Sequence, residues 1–144
     1  MRFVTIEPAA HLISVVDCRT YKDAIKLAGL TLSDVDHGKI DANVAIVVSQ
    51  FAMFADPDKQ HYFSFDGRLY AGNALLYSYE TGSGETRDMP DVKFAPIFLH
   101  GRAEVEAAIA NGIVVRPELT VNSRPVWRWP DPSPFEESNS KGAP

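Results

Sequence analysis

Between His61 and Ala71 the chain reads His-Tyr-Phe-Ser-Phe, then Asp-Gly, then Arg-Leu-Tyr-Ala. This segment restricts the fold more than any other. A two-residue type I′ turn needs positive φ at both central residues, and Asp-Gly is a favoured pair for it. The flanking runs are aromatic and apolar, the residues that suit a half-buried pleated surface. An isolated hairpin is marginal in water, so these strands must join a larger sheet and bury a face.

The rest of the chain supplies that sheet. Phe3 to Ile6 and Leu12 to Val16 read as a second hairpin around Pro8-Ala9-Ala10-His11. Thr20 is a predicted helix N-cap with Asp23 three residues on, and Gly29 a predicted stop, giving a helix over 20–28. Residues 31–42 are polar and acidic and read as a loop. Val44-Ala45-Ile46-Val47-Val48 is nearly continuous and β-branched, as in a strand buried on both faces, with a possible extension through Phe51 to Phe54. Gly72-Asn73 reads as a bulge before a strand over 75–79, and Thr81 to Gly84 as a turn. Phe94 to Leu99, broken by Pro96, belongs at an edge. Arg102 to Ala110 forms a second helix ended by Asn111-Gly112. Leu119-Thr120-Val121 and Arg124 to Trp129 close the pattern as a last hairpin around Asn122-Ser123.

Strands outnumber helices too far for a doubly wound sheet. The expected class is α+β: an antiparallel or mixed sheet with two helices packed on one face. The expected organisation is one globular domain over residues 1–130 and a flexible tail over 131–144, which is rich in Pro, Ser and Glu.

Composition narrows the function classes. The chain has 144 residues and a formal net charge of −5, with its 14 basic residues scattered among 19 acidic ones. Phosphate contacts need clustered Lys and Arg, so a nucleic-acid role is not expected. No apolar run approaches the roughly 18 residues that would suggest a membrane span. A single cysteine, Cys18, forms no intramolecular disulfide and fits a reducing compartment, so a cytoplasmic location is expected.

Catalytic and metal patterns fail on inspection. Asp34-Val35-Asp36-His37-Gly38 starts like a calcium loop, but Gly38 comes one place early and Ala45 stands where a bidentate Glu belongs. His11, His37, His61 and His100 show no i, i+4 pair, and Cys18 has no partner cysteine. Gly82-Ser83-Gly84 lacks the Lys of a phosphate loop, and no Gly-x-Ser-x-Gly elbow is present. No metal, no cofactor and no catalytic residue is therefore assigned. Cys18 ends an apolar strand and reads as a buried inert thiol.

One segment points to a surface. Pro125-Val126-Trp127-Arg128-Trp129-Pro130 alternates so that Trp127 and Trp129 share a face and Arg128 takes the other. Trp and Arg are enriched among interface hot spots, so Trp127, Arg128 and Trp129 are the candidate partner-binding residues. The competing reading puts the two indoles in the core.

The run Gly67-Arg68-Leu69-Tyr70-Ala71-Gly72-Asn73-Ala74-Leu75-Leu76-Tyr77, with Gly84-Glu85-Thr86 downstream, resembles small uncharacterised proteins of bacterial, phage and prophage genomes. The resemblance spans the middle half of the chain and carries no catalytic signature. It implies a phage-linked accessory protein, for example an inhibitor of a bacterial defence system. The expected function is non-enzymatic binding of a protein partner. The alternatives are a small-molecule binder with a pocket lined by Tyr and Phe, and an enzyme assembled from residues such as Asp36, His37 and His61.

Overall fold

The computed structural model describes residues 1–91 and 93–129, so the expected tail over 131–144 lies outside the described residues. Strands β1 (Arg2–Glu7) and β2 (Leu12–Asp17) form the first hairpin, with His11 in the left-handed region at φ 51°. Helix α1 (Tyr21–Leu27) begins where the Thr20 hydroxyl accepts the Asp23 N–H at 3.2 Å, one of the donors a helix start leaves open. Strands β3 (Val35–Asp41) and β4 (Val44–Ser49) follow. The Asp66-Gly67 turn joins β5 (His61–Phe65) to β6 (Arg68–Ala71). Next come β7 (Ala74–Tyr79), β8 (Thr86–Arg87), β9 (Ile97–His100) and helix α2 (Gly101–Ala110). Strands β10 (Glu118–Val121) and β11 (Arg124–Arg128) form the last hairpin.

The described strands group into three antiparallel sheets. The large one runs β2-β1-β7-β4-β3, with β8 on β7; the small one runs β6-β5-β9; β10 and β11 pair alone.

Period-two alternation then sorts the side chains into layers. On the large sheet, Phe3, Val47 and Leu75 face α1, where they bury Ala24, Ile25 and Ala28. From the same strands Ile6, Ile46 and Leu76 face the other way, onto Phe63 of the small sheet. Tyr62, next to Phe63, points to the opposite face of β5 and meets Val105 and Ala108 of α2. The order of layers is helix, large sheet, small sheet, helix.

The α+β class stands, but the expected placement of two helices on one face does not. Each helix covers the outer face of a different sheet, because the inner faces are spent on each other. Two further expectations give way. Residues 35–41 are strand β3 rather than loop: an edge strand needs only its backbone pairing to β4, and exposed charges at Asp36 and Lys39 suit an edge. Ala52–Phe54 is a 3-10 turn rather than a continuation of β4.

Gly72 and Asn73 mark a crossing more than a bulge. Gly72, at φ 73°, donates its N–H to the His61 carbonyl and ends the small-sheet hairpin. The Asn73 side-chain amide donates to the Ala28 carbonyl at 3.0 Å, tying the start of β7 to the C-terminus of α1.

The Asp66-Gly67 turn has φ 53° and 77° at its two residues, as the type I′ expectation requires. A β-branched residue resists that region. Gly67→Val is expected to destabilise the fold by about 1–3 kcal/mol. Equal urea midpoints for variant and parent would mean that the turn is drawn wrongly.

Candidate functional site

Trp127 and Trp129 do share a face, and that face is core: Trp127 is 7% exposed and Trp129 1%. Trp129 meets Tyr62 edge-on at 5.4 Å, and Trp127 meets Phe54 at 5.6 Å. The terminal hairpin folds its aromatic side onto the layer shared by the small sheet and α2, where both indoles join the cluster of Tyr62, Leu69, Val105 and Ala108. Arg128 is exposed on the opposite side. Of the three candidate partner-binding residues, only Arg128 is presented to solvent.

The same hairpin creates a different feature. A cleft of about 420 Å³ opens where the end of β4, edge strand β6 and strand β10 meet. Its apolar wall comes from Met53, Phe54, Leu69, Leu119 and the side of Trp127. The segment after α2 forms the rim and is held by the Val115 N–H, which donates to the Gly67 carbonyl at 2.7 Å. Val115 projects from that rim and is 74% exposed.

Four charged residues also line the cleft: Asp36, Arg68, Arg116 and Glu118. Asp36 accepts the His37 backbone N–H at 3.0 Å, and Glu118 lies opposite Arg128 across the hairpin. Arg116 donates to the Trp129 carbonyl, which occupies part of its fork. The Arg68 side chain makes no hydrogen bond or ion pair among the described residues. The cleft thus offers an apolar wall and an available guanidinium, a combination suited to an apolar ligand bearing an anionic group.

No family model, curated protein or solved structure matches this chain. What the cleft can do has to be read from its own chemistry.

Two other depressions are poorer candidates. The one at the N-terminus, about 470 Å³, has its charges already engaged: the Met1 ammonium pairs with Asp17 at 2.9 Å, and Arg2 donates to the Met89 carbonyl. A groove of about 220 Å³ beside β2 is lined chiefly by Ile13, Val15, Met89 and Phe94, with Arg2 turned to that carbonyl.

The dispersed residues of the enzyme reading are not brought together. His37 Nε2 lies 2.8 Å from the Tyr21 hydroxyl on the large sheet, whereas His61 stacks on His100 at 4.1 Å on the small one. Among the described residues no three His, Cys, Asp or Glu side chains gather as a metal-holding group, and no helix is long and apolar enough to cross a membrane. Cys18 is a free, partly buried thiol packed beside the α1 core.

Burial pushes the Tyr62 phenol up to about 12 from 10, with the nearby Arg102 pulling the other way, and burial likewise pushes Tyr21 up to about 12. The unfolded chain therefore loses these protons before the folded one does. Stability should hold below pH 10 and fall as pH rises towards 12. Tyr62→Phe should flatten that fall. At neutral pH it should leave the melting temperature equal or higher, because the hydroxyl has no partner among the described residues. Melting curves from pH 7 to 12 check both; a variant curve that drops as steeply as the parent's would contradict this assignment.

Sequence reasoning missed the cleft. Its walls come from five separated segments, and none carries a motif. Asp36 and Trp127, both singled out from sequence, do line it, but for reasons unrelated to a cleft; Arg68, a charge set directly after a tight turn between aromatic strands, was a further signal.

Proposed function

We propose that this chain is a non-enzymatic binding protein and that its binding site is the cleft between β4, β6 and β10. The supporting observation is the apolar wall of Leu69, Leu119 and Phe54 beside the available Arg68 guanidinium. The volume of about 420 Å³ lies within the roughly 300–1,000 Å³ common for small-ligand sites. The favoured ligand has an aromatic or aliphatic body and one carboxylate, sulfonate or phosphate, whether as a free molecule or as part of a peptide. A cytoplasmic setting belongs to the proposal and is supported by the single free thiol. So does the phage-linked accessory role, which is supported by the Gly67–Tyr77 resemblance alone.

The test is an NMR titration of the full chain with an anilinonaphthalene sulfonate. Shift changes are expected at Arg68, Leu69 and Tyr70 and from Val115 to Leu119, and should weaken at least tenfold in Arg68→Glu. Changes confined to other strands would overturn the assignment.

A second reading, protein–protein contact, has its own support. Strand β3 is the outer strand of the large sheet and exposes Asp36, His37 and Lys39. An edge strand offers a row of unpaired backbone groups to an added strand. A partner bound this way would slow amide exchange along Val35–Asp41 and leave the cleft amides of residues 67–70 and 115–119 unchanged. Slowing at residues 67–70 and 115–119 alone would exclude strand addition.

A further inference from the structure

We infer that two copies of this chain associate through β2, which pairs antiparallel with the same strand of the second copy so that Ser14 meets Ser14 on a twofold axis. The large sheet then runs through both copies. This surface is separate from the cleft, none of whose lining residues lies on β2.

The first support is the contrast between the two outer strands of the large sheet, β2 and β3. Edge strands that stay single are commonly blunted by charge or by a bulge. Strand β3 has both: Asp36, Lys39 and Asp41 are exposed along it, and its register shifts between Lys39 and Asp41. Strand β2 has neither. From Leu12 to Val16 it carries no charge, and its register with β1 is unbroken over six pairs. It nevertheless shows Leu12, Ile13 and Val15 to solvent at 46%, 38% and 69%. No described strand pairs with its far side.

The second support is that the strand complements itself, as a twofold contact requires. Leu12-Ile13-Ser14-Val15-Val16 reads apolar, apolar, Ser, apolar, apolar in either direction. Backbone geometry selects the register. Met1 and Cys18 exchange both backbone hydrogen bonds, at 2.7 and 2.9 Å. Antiparallel ladders alternate such pairs with open ones. Leu12, Ser14 and Val16 therefore bond to β1, while Ile13, Val15 and Asp17 aim their N–H and C=O groups outwards. In a pairing centred on Ser14, Ile13 of each copy exchanges both bonds with Val15 of the other. Their branched side chains meet on the face that holds the groove of Val4, Leu76 and Met89, and Leu12 meets Val16 on the opposite face. No like charges are brought together, since Asp17 comes level with His11 of the other copy. A shift of two residues loses this match: it sets Asp17 against Ile13 in one direction and Val15 against His11 in the other.

The test is sedimentation of the full chain over a hundredfold range of concentration, with amide exchange measured on the same samples. The expected result is a species of twice the chain mass at the upper end, with exchange at Ile13 and Val15 slowing as it forms. Val15→Lys should melt as the parent does at the dilute end, where the chains are apart, and should weaken association at least tenfold. Ser14→Cys combined with Cys18→Ser should oxidise to a disulfide-linked pair, because residues opposed in an open pair lie about 4.5 Å apart between Cα atoms, within disulfide reach. Lys39→Cys combined with Cys18→Ser should not. One chain mass at every concentration overturns the proposal, and so does association that Val15→Lys leaves intact. Cross-linking through position 39 and not through position 14 would move the contact to β3. Exchange already slow at Ile13 and Val15 in the single chain would mean that another part of the same chain covers the edge, and would overturn the proposal too.

Discussion

Replacing Trp129 with Ala is expected to cost about 3–5 kcal/mol of folding stability, a large part of what a domain of this size commonly has. The indole is 1% exposed, packs edge-on against Tyr62, and lies in one cluster with Val105 and Ala108 of α2. Its removal empties the point where the last hairpin, the small sheet and the second helix meet. Trp127→Ala should follow with a loss of similar kind, since its ring closes on Phe54. Urea denaturation measures both. A loss below about 1 kcal/mol for Trp129→Ala would mean that the indole is not core, and would return it to the candidate interface.

Phe63→Ala should cost a comparable 3–5 kcal/mol or so by the same mechanism, at a different joint. Phe63 is fully buried between the two sheets, stacked with Tyr70 at 5.0 Å and clustered with Ile46, Leu76 and Met89. The contact between the sheets passes through this ring. If the sheets did not face each other, Phe63 would belong to a half-exposed surface and its truncation would cost well under 1 kcal/mol. The denaturant midpoint of this single variant tests the layer order.

Much of the fold was legible because its signals are local. Thr20 and Asp23 are three residues apart, and Asp66-Gly67 is its own turn signature; both appear in the structure as the sequence suggests. The Val44 to Val48 run implied burial on both faces, and α1 and the small sheet supply the two covers. The relation between the sheets was not legible. Alternation shows that Tyr62 and Phe63 face opposite ways, yet nothing within β5 says which face meets a helix and which meets another sheet. Strand β3 was read as loop for a related reason. The pattern of residues 35–41 reflects an edge in water, and its pairing with β4 depends on backbone groups that composition does not show.

The functional surface was harder still. Trp127 and Trp129 stood out because of residue type, and type alone does not separate a hot spot from a core position. The cleft depends on Arg68, Leu119 and Phe54 meeting across separate elements, which only the packed chain reveals.

The cleft assignment is tested most directly by separating binding from folding. Val115 and Leu119 line the cleft and are 74% and 41% exposed, so charge at either position should change stability by no more than about 0.5 kcal/mol. Melting and naphthalene-sulfonate binding are measured together for Val115→Glu and Leu119→Glu. The expected result is a parent-like melting temperature with binding weakened at least tenfold in both. Parent-like binding in both variants would contradict the cleft as the site.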